Sequence, residues 1–219
     1  MILGLLACLG PKKEIASKNK EVLYSWQAPL EREHPLVGKI WSTSDKSWIL
    51  YSEMIEEIQS KEHVFVGEKH DNPDHHHWQA KILQSIHKDR VVAFEMLSVD
   101  QKPEESVQDS LALAVAVGWE KSGWPEFGMY KPIFDVAFTN DIPIVYAHPS
   151  RKDIMRVMKQ GFNEEEQAWL AAGEPLSDSA QTDLQEEIIA SHCGHASDGM
   201  VQMMINAQQY KDAFMAKEI

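Results

Sequence analysis

The chain has 219 residues, 43% of them hydrophobic and 25% charged, the composition of a folded globular protein and not of a disordered or fibrous one. Its 21 Lys and Arg against 34 Asp and Glu leave a net charge of -13, which removes the electrostatic footprint of a nucleic-acid binder. No run of about 18 apolar residues occurs, so no segment reads as a membrane-spanning helix, and the two cysteines, Cys8 and Cys193, are too few for a disulfide scaffold.

The amino terminus carries the first signal. Residues Met1 to Ala7 form a short apolar run ending in Leu5-Leu6-Ala7-Cys8, followed at once by the polar stretch Gly10 to Lys20. The pattern resembles a bacterial lipobox, where a signal peptide is removed and Cys8 is acylated, although no Lys or Arg precedes it. On that reading residues 1–25 are signal remnant and tether, and residues 26–219 form one domain. The protein is then lipid-anchored in the bacterial cell envelope, at the outer membrane or facing the periplasm.

Within the domain, Met54, Ile55 and Ile58 recur at helical spacing over Ser52 to Ser60, and His63-Val64-Phe65-Val66-Gly67 reads as a short buried strand. Pro73 and Asp74 open a helix whose face is kept by Gln79, Ile82, Leu83 and Ile86. Val91-Val92-Ala93-Phe94-Glu95-Met96 is a near-continuous apolar run, as in a strand covered on both faces. A helix over Glu105 to Val117 follows, ended by Gly118, then a loop with Trp124, Pro125 and Gly128, a helix over Pro132 to Thr139, and a third strand at Ile142 to Ala147. Beyond Arg151 only helical signals remain: 154–159, 164–170, 181–190 and a terminal helix bearing Val201, Met204, Ile205, Phe214 and Met215. Strand and helix in alternation predict an α/β fold, a mainly parallel sheet flanked by helices, with a helix-rich C-terminal half.

Ligands of open parallel sheets lie outside the carboxyl ends of the strands. Glu68 and His70 follow the first strand, Glu95 ends the second and His148 follows the third, so one rim gathers carboxylates and imidazoles suited to metal ligation or acid–base work. His75, His76 and His77 step about 100° apart on a helix, so at most one faces that rim, and His76 and His77 read as a solvated run. The helix start beside His70 offers free N–H groups to an anionic ligand. His192-Cys193-Gly194-His195 lacks the second ligand pair of a structural zinc site. Trp124 and Phe127 can wall a flat apolar ligand, with Tyr130 supplying a phenol oxygen. No nucleotide-binding, Walker or common hydrolase signature is present.

The series Gly67-Glu68-Lys69-His70-Asp71-Asn72-Pro73-Asp74-His75-His76, then Ala93-Phe94-Glu95-Met96, Trp124-Pro125, Tyr130-Lys131-Pro132-Ile133, Ile144 to Ala147, and Ala207-Gln208 with Asp212-Ala213 resembles the ChaN-like haem-binding uptake proteins of the Tiki and erythromycin-esterase-like superfamily. The resemblance implies a non-catalytic lipoprotein of bacterial iron uptake that binds haem, with a tyrosine on the iron and two subunits enclosing the cofactors. Tyr130 is the expected iron ligand, with His70, Glu68, Glu95 and His148 lining the cofactor. Relatives of the wider superfamily are metal-dependent hydrolases, which leaves a second reading in which Glu68, His70 and Glu95 hold a divalent metal or activate water. Family members continue past the helix matching Ala207 to Ile219 into a further strand and a second glycine–histidine motif. A truncated copy with exposed apolar sheet surface is the corresponding expectation.

Overall fold

The computed structural model describes residues 24–173, 176–192, 195 and 197–219. The lipobox with Cys8 and the Cys193-Gly194 pair lie outside the described residues. A two-stranded antiparallel hairpin comes first, β1 (Ile40–Ser42) and β2 (Ser47–Ile49). It is followed by α1 (Tyr51–Gln59), α2 (Pro73–Ser85), β3 (Val92–Ser98), α3 (Ser110–Ala116), α4 (Phe127–Thr139) and β4 (Ile144–His148). The chain closes with α5 (Arg151–Gln160), α6 (Glu164–Ala172), α7 (Asp178–Ser191) and α8 (Asp198–Glu218). The α/β class and the helix-rich C-terminal half agree with the sequence.

β3 and β4 run parallel, with Val92 opposite Ile144, Ala93 opposite Val145 and Phe94 opposite Tyr146. The register then shifts, so that Ser98 lies opposite His148. Four residues of β3 thus span two of β4, a bulge that includes Glu95 and re-aims it relative to a regular strand. Glu95 is therefore not the end of its strand, as the sequence suggests, but its half-buried middle.

The largest departure is residues 63–67, which form no strand among the described residues. Backbone groups from Glu62 to Glu68 enter no backbone–backbone hydrogen bond; Val66 is held instead by the Gln79 side chain, whose Nε2 donates to its carbonyl at 2.9 Å. Phe65 is 81% exposed, with Val64 and Val66 exposed beside it. Apolar composition marks a segment fit for a sheet, but a strand exists only when a neighbour completes its ladder, and here none does.

The core forms where α4 meets β3 and α2. Phe134 stacks on Phe94 at 4.2 Å, and Trp119 packs edge-on against Phe134 and against Phe127. Leu97, Leu113, Ile133 and Ala137 are buried in the same cluster. Gly118 takes φ +66°, the left-handed conformation that ends α3 at little cost. α4 begins at Phe127, five residues ahead of the sequence expectation, and carries Pro132 within it. On the other side of the sequence midpoint, α8 packs on β4, α5, α6 and α7, and a capping box at Asn163 joined to the Arg156–Glu166 ion pair fixes the turn between α5 and α6.

Candidate functional site

The turn between residue 67 and α2 is organised by one carboxylate. Asn72 caps α2 by accepting from the Asp74 N–H at 3.0 Å, and Pro73 occupies the first turn, where its missing N–H costs nothing. This start angle carries His76 inward, where it is wholly buried, while His75 stays exposed and accepts from the Lys69 N–H at 2.8 Å. His76, expected in a solvated run, is thus the one histidine of the three that faces the core. Helical phase allows one inward position, and the sequence does not reveal which.

Both ring nitrogens of His76 meet acceptors. Nδ1 lies 2.9 Å from Glu68 Oε2 and Nε2 lies 3.0 Å from the His70 carbonyl. Two acceptors call for two N–H groups, so the ring is an imidazolium. Its pKa is accordingly raised: burial pulls it down, but the Glu68 carboxylate and the His70 carbonyl outweigh that. Glu68 shows the mirror effect. Burial pushes its pKa up, yet the bonds from His76, His70 and Tyr130 hold it down at about 2.

Tyr130, the expected iron ligand, is not on a loop at the rim. It stands in α4, has no exposed surface, lies 4.0 Å from the His76 ring and 5.0 Å from the Trp119 ring, and donates its hydroxyl to Glu68 Oε1 at 3.0 Å. Burial and the neighbouring carboxylates raise its pKa, so the phenol keeps its proton.

His70 is the exposed member of the cluster, its side chain 46% accessible. Its Nδ1 lies 2.8 Å from Glu68 Oε1. An ionised carboxylate only accepts, so Nδ1 is the donor of this bond and Nε2 is the ring nitrogen it leaves over. No described protein group bonds that Nε2, and the indole of Trp124 stands edge-on to the ring at 4.8 Å. His148 at the end of β4 repeats the pattern: Nδ1 donates to the Pro149 carbonyl at 2.8 Å, and burial lowers the pKa, so the half-buried ring is neutral. Glu95 and Asp100 are close enough to oppose that shift, and Lys211 to favour it. Glu68, His70, Trp124 and Tyr130 thus form one cluster, and Glu95 lies near both Tyr130 and His148 electrostatically.

Among the described residues no three His, Cys, Asp or Glu side chains converge so as to hold a metal ion. Glu68 takes the His70 and Tyr130 bonds on Oε1, while its buried Oε2 faces the His76 ring at 2.9 Å without a hydrogen bond, and a carboxylate held at about 2 is a poor general base near neutral pH.

A second buried carboxylate escaped the sequence reading. Asp74 accepts from the Tyr24 hydroxyl at 2.6 Å, the Gln27 N–H at 2.8 Å and the Ala28 N–H at 2.8 Å, tying residues 24–28 to α2. Its pKa is lowered, burial being outweighed by these three bonds, while burial and the same carboxylate push Tyr24 up to about 12. Tyr24 also stacks on His77 at 4.1 Å. Asp74 at a helix start reads as a cap in sequence, and nothing local reveals that a segment some 46 residues earlier supplies its donors.

Residues 54–219 match the sequence profile of the family described as haem-binding uptake, Tiki superfamily, ChaN. Among curated proteins none matches the sequence. The fold superposes on the solved structure of ChaN of Campylobacter jejuni, a protein described by its cofacial haem binding, with a TM-score of 0.65 and 22% identity over 82% of this chain and 73% of that one.

Proposed function

Since the chain belongs to the haem-binding uptake family of the Tiki superfamily, ChaN, we propose that it binds ferric haem at the rim formed by the 67–72 turn and the carboxyl end of β4. The observation that carries the reading is the His70–Glu68 pair. An imidazole that ligates iron commonly donates its other ring N–H to a carboxylate or carbonyl, which fixes the tautomer and raises the basicity of the free nitrogen. His70 has that partner in Glu68, no described group bonds its Nε2, and the indole of Trp124 stands edge-on to the ring. His148, neutral and with Nδ1 committed to Pro149, is the second imidazole suited to face the cofactor.

Within this reading the haem supplies the redox-active iron, and the protein supplies position and electrostatics. Tyr130 and the His76 imidazolium hold Glu68 in place, and Glu68 holds His70. The chain acts as a carrier without turnover, anchored in the envelope through Cys8, and a second copy closes over the cofactor as in a cofacial pair. The lowered pKa of Glu68, which leaves it a weak base, supports a binding role over a hydrolytic one.

Ferric haem titrated into the full chain under absorbance tests the reading. Saturation at a defined ratio with an imidazole-type spectrum is expected. His70→Ala should abolish that spectrum, and Glu68→Gln should weaken binding about 10-fold or more by loosening the ring. Tyr130→Phe should leave the ligand spectrum in place. A tyrosinate spectrum that disappears in Tyr130→Phe would instead put the phenolate on iron and remove His70 from that role.

A further inference from the structure

The β1–β2 hairpin carries its larger apolar pair on the outside. Register sets Ile40 opposite Ile49, Trp41 opposite Trp48 and Ser42 opposite Ser47, so the tryptophans share one face and the other two pairs share the opposite face. Ser42 is buried and the isoleucines are half-buried, whereas Trp41 and Trp48 are 47% and 49% exposed. The indoles meet edge to face at 5.0 Å, and the Lys39 ammonium lies 5.7 Å from the Trp48 ring. A hairpin with one wet face ordinarily puts polar residues there. Here the wet face is two indoles, flanked in sequence by Lys39, Lys46 and the exposed Leu50.

Position in the chain indicates what covers that face. The Trp26 ring stands where a Cβ on Gly38 would come within 3.2 Å. The root of the amino-terminal segment and the base of the hairpin are therefore in contact. From Tyr24 back to Cys8 the chain spans at most roughly 58 Å even when fully extended. An acylated Cys8 would hold the hairpin within that distance of a bilayer. Tryptophan is the side chain that settles at the headgroup level, with its apolar ring toward the acyl chains and its N–H toward water, and neighbouring lysines reach outward to the phosphates.

We propose that the Trp41–Trp48 face seats in the headgroup region of a phospholipid bilayer and sets the orientation of the protein on the membrane. The anchor in this picture rests on the lipoprotein reading above; the seating of the indoles is a separate property of the hairpin. The net charge of -13 disfavours strongly anionic surfaces, so the partner surface is zwitterionic.

The full chain, recovered from a bacterial host and reconstituted on phosphatidylcholine vesicles with brominated acyl chains, provides the test, with the Cys8→Ser chain added to the same vesicles at high lipid. Indole fluorescence should be quenched, and Trp41→Glu combined with Trp48→Lys, which keeps a favourable cross-strand pair, should lose most of the quenching. If that variant does not give the native circular dichroism, Trp41→Phe with Trp48→Phe removes the same two of the seven tryptophans and keeps an aromatic pair. Quenching unchanged in the variants, or absent in the vesicle-bound parent, overturns the proposal. Mass measurement of the amino-terminal peptide reports acylation independently. An unacylated chain still quenched through Trp41 and Trp48 would sink the anchor and keep the hairpin; an acylated, unquenched chain would do the reverse.

Discussion

His76 shows how a single side chain sets the pH range in which the site exists. Its raised native pKa means that the folded state holds the proton more tightly than the unfolded chain does. That stabilisation is fully present below the ordinary value of 6.5 and fades as pH rises through the native value. Glu68 has the opposite sign: its contribution is full above 4.5 and is lost as pH falls toward about 2. The pair is therefore strongest between these limits. His76→Gln should flatten the alkaline side of a plot of unfolding free energy against pH and cost about 3 kcal/mol near pH 6, because it strands a buried carboxylate. Urea titrations across pH read both, and an alkaline limb that survives the substitution would assign it to another group. Asp74 makes a simpler case. Asp74→Ala leaves the Tyr24 hydroxyl and two backbone N–H groups without their acceptor, an expected loss of about 2–4 kcal/mol in urea unfolding. A loss below that range would mean that residues 24–28 are held by their aromatic contacts instead.

At the level of elements, periodicity served best where an element's partners are local or its pattern is long. α2, β3, β4 and the four C-terminal helices fall close to their expected bounds, because Pro73, the apolar run at Val92 and the amphipathic spacing after Arg151 act through the backbone nearby. Three elements departed for physical reasons, the first being α3, which starts at Ser110 and not at Glu105 because the Asp109 side chain caps it there by accepting from the Ala112 N–H. Pro132 reads as a helix start, but it lies six residues into α4, where it forgoes one backbone hydrogen bond, and the stacking of Phe127 on Phe134 holds the turn ahead of it in the helix. Residues 63–67 have the composition of a strand, and composition does not say whether a neighbour is there to pair. The site was legible in part: Glu68 and His70 do meet, and His148 does end its strand. The burial of His76 and Tyr130, and the bulge at Glu95, depend on helix phase and register that no local motif encodes. The unpaired segment carries a prediction of its own. Phe65→Lys places a charge on an exposed apolar stretch with open backbone groups, and it should raise the monomeric fraction in size-exclusion chromatography at high protein concentration. An unchanged elution profile would show that this stretch is not where the molecules associate.

Across the whole molecule, the acidic net charge, the proposed haem rim and the paired indoles lie in one chain whose segment 24–28 is fastened to the helix that carries the buried ion pair. Tyr24, Gln27 and Ala28 grip Asp74, and His76 lies two residues further along the same turn of α2. In mechanical terms the amino-terminal strap is tied to the site's own beam and not to a loop. A load on the amino terminus arrives at Asp74 across three hydrogen bonds before it reaches the core. The same turn that registers the pull also sets how the His70 ring is held.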